Sequence, residues 1–336
     1  MTGGRLKVRL RRALLAALLV VAVAAPLSAM SGPAAVPAPP PAALPPLGSG
    51  GPDGPGGLSA LTARYAANRA DILAAARMAA AHGDPQRAAD LRALGAPSRQ
   101  FLAFDGRDGG RSVEVVGDLA HARRIAVLVP GSDTGLDSYA RLYAGAVALE
   151  QQLGGSADGA AVVAWLGYAT PSTVSPVVLT AGRAAAAAPH LVAFTRELTE
   201  LKPTARISVL CHSYGSVVCA RAAGGLRVAD IVLYGSPGVG SSARDVADLH
   251  TTATVWAGRA SHDWIGEVPH LLLPLGVTTL GLGADPAAPG FHARVLAAGE
   301  GGHSDYLTPG SLPLASIARI VTGAADRAYT QEAHHG

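Results

Sequence analysis

The sequence predicts an α/β fold, with a mostly parallel central sheet covered by helices on both faces and preceded by a helical segment and a hairpin. Three observations carry this expectation. Five runs, at 125–129, 161–166, 206–211, 231–234 and 253–257, are apolar almost throughout rather than at alternate positions, the pattern of strands buried on both faces. Between them lie helix-like segments, notably SYARLYAGAVALEQQL, HLVAFTRELTEL and SVVCARAAGGL, and strands that alternate with helices imply right-handed parallel crossovers. With 49% hydrophobic but only 4% aromatic residues among 336, the chain has enough apolar material for a sizeable core built from Ala, Val and Leu.

In chain order, residues 1–30 pass from a basic stretch through an apolar run at 13–25 to small residues. That is the pattern of a secretory signal peptide or an uncleaved signal anchor, and it predicts a secreted or cell-surface protein. Residues 31–58 are almost wholly Pro, Ala, Gly and Ser, a composition too poor in apolar bulk to fold, and read as a linker. From 59 to 94, Ala, Arg and Leu recur at helical spacing with a break at Gly83-Asp84-Pro85, which predicts two helices. QFLAFDGRDGGRSVEVVGDL then reads as an antiparallel hairpin. The folded domain is expected over 59–323, with 59–104 as a helical N-terminal extension and 324–336 as a polar tail that includes His334 and His335. The net charge is +3, but five of the 27 Lys and Arg fall within the first twelve residues. The nearly neutral remainder offers no basic face for nucleic acid.

The chemistry centres on CHSYGSVVC. Ser213 falls at the carboxyl end of the strand at 206–211, directly before a helix that begins near Tyr214. A serine on such a turn stands above the sheet, next to the free N–H groups of a helix N-terminus that stabilise a developing oxyanion. The Tyr214 N–H is one expected oxyanion donor, and Gly131 and Ser132, in the loop after the strand at 125–129, supply the other. A serine nucleophile needs a base, and the base needs a carboxylate to orient it. Asp263, after the strand at 253–257, and His303, in the glycine-rich GEGGHSDY, follow in that order.

Taken in order, VLVPGSDT, AWLGYATP, CHSYGSVVC, VWAGRASHDWIG and GHSDY resemble the α/β-hydrolase family widespread in actinobacteria that was long catalogued as a domain of unknown function. The likeness covers roughly 59–323. It implies the α/β-hydrolase fold, with Ser213 as nucleophile, Asp263 as acid and His303 as base, and leaves the substrate open. One departure from G-x-S-x-G is Cys211 in place of the first glycine, whose Cβ demands a slightly wider elbow.

Rivals for each role exist. Asp305, Asp245 and Asp248 compete as acids, but Asp305 would have to fold back along the loop that carries His303. His212 adjoins Ser213 yet should point away from it as a packing or hydrogen-bonding residue, and His262 reads as a surface or pocket-wall residue. Cys211 and Cys219, the only cysteines, are placed either to form a disulfide across the elbow or to pack as two small buried thiols. Two cysteines without convergent histidines lack the spacing of a metal site, and neither metal nor organic cofactor is expected. Trp165, Tyr168, Trp264 and Ile265 are candidates for an apolar wall against an acyl chain, with core filling as the alternative. The stretch 268–291 reads as a strand pair or a flap. The expected function is an exported serine hydrolase acting on a small-molecule or lipid-like ester, with membrane contact only through an uncleaved N-terminal anchor. An acyltransferase or peptidase with the same triad, and a catalytically idle cell-surface binding module, are the alternatives.

Overall fold

The computed structural model describes residues 36–275 and 278–327. The expected signal segment at 1–30, the first residues of the linker, and the end of the polar tail with His334 and His335 lie outside the described residues. Among the described residues no helix is long and apolar enough to cross a membrane.

Eight strands form one sheet: β1 (Gln100–Asp105), β2 (Arg111–Gly117), β3 (Arg124–Val129), β4 (Ala160–Leu166), β5 (Arg206–His212), β6 (Asp230–Tyr234), β7 (Thr254–Gly258) and the two-residue β10 (Arg294–Val295), in the order β1-β2-β4-β3-β5-β6-β7-β10. The β1–β2 hairpin pairs antiparallel and joins β4 in the same sense, whereas every pairing from β4 to β10 is parallel. β5 therefore sits inside the sheet between β3 and β6, as the apolar run at 206–211 implies. The helices are α1 (Leu61–His82), α2 (Pro85–Leu94), α3 (Ala140–Gln152), α4 (Gly182–Leu201), α5 (Tyr214–Ala222) and α6 (Leu312–Val321). α4 and α5 cover one face; α2, α3, α6 and most of α1 cover the other. Each Leu, Ile or Val side chain withdrawn from water in these two layers contributes about 1.5–3 kcal/mol.

Local chemistry sets the helix boundaries. α1 ends where Gly83 turns left-handed at φ 89°, and α2 begins at once because the Asp84 carboxylate accepts the Arg87 N–H at 2.9 Å, with Pro85 in the first turn. α6 is capped by Ser311, whose hydroxyl accepts the Leu314 N–H at 3.3 Å.

Two expectations need correction, and the stretch 268–291 takes one of its two readings. The linker does not stay apart from the body: Leu47 is only 3% exposed, its N–H reaches Glu197 at 3.2 Å, and Gly48 and Gly56 close a turn between them. Average composition hid one apolar anchor, and the glycines around it allow the tight turns that seat it against α4. The polar tail starts later than 324, since the Asp326 carboxylate accepts from Arg206 and from Arg294, each at 2.6 Å. The stretch 268–291 resolves into a small antiparallel pair, β8 (Leu273–Leu275) with β9 (Thr278–Leu280).

The strand-to-helix turn at Ser213 is tight. Ser213 has φ 53°, outside the regions open to most L-residues, at a cost on the order of 1–3 kcal/mol. Its N–H is held by the Tyr234 carbonyl at 3.0 Å. Just beyond, α5 passes so close to the end of β3 that a Cβ on Gly215 would lie 2.5 Å from the carbonyl oxygens of both Val129 and Pro130. Cys211, fully buried, is joined to Cys219 by a disulfide with Cα atoms 6.4 Å apart, so the side chain that replaces the usual glycine ties the strand to the helix.

Gly215→Ala is expected to lower stability by about 1–3 kcal/mol in urea unfolding, because two backbone carbonyls must move. Replacing both cysteines by Ala is expected to lower it by roughly 2–3 kcal/mol, from the loop closure lost in the unfolded chain, and a dithiol reductant should reproduce that loss in the wild type only.

Candidate active site

Ser213, Asp263 and His303 come from the carboxyl ends of β5, β7 and β10, far apart in sequence and adjacent in space. His303 Nε2 lies 2.9 Å from Ser213 Oγ, and His303 Nδ1 lies 2.8 Å from Asp263 Oδ1. A carboxylate only accepts, so Nδ1 carries the proton and Nε2 is left free to accept from the serine hydroxyl. Ser213 is 8% and Asp263 6% exposed, and water competes little for either bond.

Asp263 is anchored from three sides. Its Oδ1 also accepts the Ile265 N–H at 2.9 Å, and its Oδ2 accepts the Tyr306 hydroxyl at 2.6 Å. Burial alone raises the pKa of this carboxyl, but the bonds from His303, Tyr306 and Ile265 outweigh it and hold Asp263 below the usual carboxylate range. The Tyr306 hydroxyl in turn accepts the Ala260 N–H at 3.0 Å, and burial followed by its bond to Asp263 drives its own pKa up. Tyr306 escaped the sequence reading; its signal was its place three residues after His303. The rival acids are engaged locally: Asp305 accepts the Gly302 N–H at 2.8 Å, and Asp245 and Asp248 bond to backbone within their own turn. His262 is exposed beside the buried Asp263.

Above Ser213 lies the loop after β3. A Cβ on Gly131 would come within 2.6 Å of Ser213 Cβ, so only glycine lets this backbone ride over the serine. The N–H groups of Ser132, next in the loop, and of Tyr214, first in α5, donate to no acceptor among the described residues. The loop is pinned by the Tyr168 hydroxyl on the Pro130 carbonyl at 2.7 Å, by Thr170 on the Thr134 carbonyl at 2.8 Å, and by Thr173 on Asp133.

A cavity of about 870 Å³ opens over Ser213 and His303. Its apolar wall includes Leu142, Val178, Leu179, Ile265, Val268 and Leu282, with Trp264, 51% exposed, among its lining residues. Of the four expected wall residues, Trp264 and Ile265 line it. Trp165 and Tyr168 do not: both are buried in the core, with ring centroids 6.1 Å apart. Ending a strand at the right edge of the sheet put them near the site, but their side chains turn inward. Among the described residues no group of three or more His, Cys, Asp or Glu is arranged to hold a metal ion.

His212 turns its ring away from Ser213, toward His303 and Tyr306. Burial, and then the proximity of His303, lowers its pKa from 6.5 to about 4.

The fold and this constellation are those of an α/β hydrolase. A family model described as alpha/beta hydrolase matches residues 105–273, half of the chain, and the chain belongs to that family. The matched stretch contains Ser213 and Asp263 and stops before His303. Two uncharacterized proteins of Mycobacterium tuberculosis are similar in sequence. Rv2079 is 31% identical over 260 residues, covering 67% of this chain and 38% of Rv2079. Rv0963c is 33% identical over 177 residues, covering 47% and 66%. The chain thus spans well under half the length of the first relative. Among solved structures, an α/β serine hydrolase without lid from Xanthomonas campestris aligns with 69% of this chain and 95% of its own at 16% identity and a TM-score of 0.43.

With the folded pKa of His212 depressed, the folded state binds fewer protons than the unfolded one between pH 6.5 and about 4. Its contribution is fully present above pH 6.5 and is lost as the pH falls toward 4, an effect on the order of 3 kcal/mol. Urea midpoints measured at pH 7 and pH 4.5 should fall in the wild type, and fall less in His212→Gln.

Proposed function

We propose that the protein is an exported serine hydrolase that cleaves carboxylic esters with an apolar, lipid-like acyl group. The observation that carries this reading is the continuous hydrogen-bonded relay from Ser213 through His303 to Asp263, opening into an apolar cavity. Its size is that of pockets which enclose a small organic ligand.

In this reading Ser213 Oγ attacks the ester carbonyl as His303 Nε2 takes its proton, and Asp263 stabilises the imidazolium. The oxyanion is received by the N–H groups of Ser132 and Tyr214, whose fixed backbone needs no reorganisation when charge develops. The tetrahedral adduct collapses by expelling the alcohol, which takes the proton back from His303 and leaves an acyl-enzyme on Ser213. Water, deprotonated by His303, attacks the acyl carbonyl, and the acid departs as Ser213 recovers its proton. Export is supported by the signal-like residues 1–30 and by the disulfide, a bond that persists in oxidising compartments.

The test is labelling of the purified protein with a fluorophosphonate probe, together with hydrolysis of nitrophenyl esters. Ser213→Ala should abolish labelling and lower kcat/KM by about 10⁴-fold or more. Lengthening the acyl chain should raise kcat/KM by about two- to fourfold per methylene until the cavity is filled. Equal behaviour of wild type and Ser213→Ala would overturn the reading.

A further inference from the structure

The loop that carries the base is weakly tied to the sheet. It follows β10, which contributes only two residue pairs, and it runs through Gly299, Gly301 and Gly302 before reaching His303. The Ser261 N–H bonds the Gly299 carbonyl at 3.0 Å and the Gly302 N–H bonds Asp305 at 2.8 Å, but neither bond holds the His303 peptide itself, whose imidazole must meet Ser213 and Asp263 at the same time.

One contact fixes the backbone at that point. His212 Nε2 lies 2.7 Å from the carbonyl oxygen of His303, and no other hydrogen bond among the described residues reaches the His303 backbone. Since a carbonyl only accepts, His212 must donate through Nε2–H. Its ring is wedged among three others, with centroids 4.7 Å from His303, 5.2 Å from Tyr234 and 5.7 Å from Tyr306. His212 is itself the last residue of β5, paired with Tyr234 of β6.

The geometry points to His212 as a positioning residue for His303: its Nε2–H bond to the His303 carbonyl sets the depth at which the base sits, so that both imidazole nitrogens are in register with their partners. This rests on the serine hydrolase reading. The charged and titratable groups that face His212 are His303, Asp263, Tyr234, Tyr306 and Arg141. A neutral ring matters here, because His303 becomes an imidazolium in both half-reactions and a second cation at ring-contact distance would oppose it.

Two substitutions separate the donor from the ring. His212→Phe keeps an aromatic ring and loses the N–H; His212→Gln keeps an N–H of similar reach and loses the ring. Rates on a nitrophenyl ester are expressed per active site titrated with the fluorophosphonate probe, which removes any misfolded fraction from the comparison. His212→Phe is expected to lower kcat by about ten- to a hundredfold with KM changed less than about twofold, whereas His212→Gln recovers to within about fivefold of wild type. The low-field proton resonance of His303 Nδ1–H is expected in wild type and in His212→Gln, and should be broadened or lost in His212→Phe. If His212→Phe does not fold, His212→Asn, whose shorter amide falls short of the carbonyl, replaces it with the same expectation.

A donor-less variant with wild-type kcat per site and an unchanged low-field proton overturns the proposal. So does a variant set in which only melting temperature and the number of titrated sites change, which is the signature of mere packing. A wild type that neither labels nor turns over ester defeats the hydrolase reading instead. The low-field resonance then still decides whether His212 positions His303.

Discussion

The close passage of α5 beneath the end of β3 is the constraint on which the site depends. At Gly215 the helix backbone comes so near the Val129 and Pro130 carbonyls that no side chain fits between them. A helix starting that close to the sheet forces Ser213 into a strained turn, which points it toward the cavity. The same closeness brings the loop after β3 over the serine, where a Cβ on Gly131 would lie 2.6 Å from Ser213 Cβ. The strained turn at Ser213 and the loop that lies over it are therefore two results of a single packing distance, and neither could be shifted alone.

Beyond the elbow the site is held by polar contacts rather than by the sheet. Asp263 accepts from His303, Ile265 and Tyr306, and Tyr306 accepts from Ala260 while donating to Asp263. The loops that carry Asp263 and His303 are thereby cross-linked to each other. A buried network of this kind is stable only when every member is satisfied, and here the carboxylate has donors at both oxygens. Among the described residues the network shares no side chain with the Asp230 cluster at the opposite end of the strands, where Arg206 and Ser208 satisfy another buried carboxylate.

Much of this was legible in the sequence because it depends on period and position. Runs apolar at nearly every residue marked the parallel strands, and β5 as the carrier of Ser213 followed from its place among them. An acid after one later strand and a histidine after another could be named because chemistry in such sheets gathers at strand carboxyl ends. What was not legible depends on how loops fold over one another. Tyr306 was not read as a partner of Asp263 at all. Tyr168 was left between pocket wall and core, and its hydroxyl clamps the Pro130 carbonyl from within the core. Leu47 was lost in the average of a Pro- and Gly-rich stretch. In each case the sequence shows a residue near the site or the body, but the direction of its side chain is decided by contacts more than thirty residues away.

The two-residue strand β10 gives the molecule an uneven distribution of strength. Ser213 and the loop over it hang from strands in the middle of the sheet, stapled by a disulfide, whereas His303 reaches them from the outermost and shortest pairing. Local opening at that edge requires few broken contacts, so it lies at the low end of the free-energy scale on which the central strands lie at the high end. Warmed or mildly denatured, the chain would release His303 while its sheet and elbow remain assembled, and the constellation would come apart before the fold does.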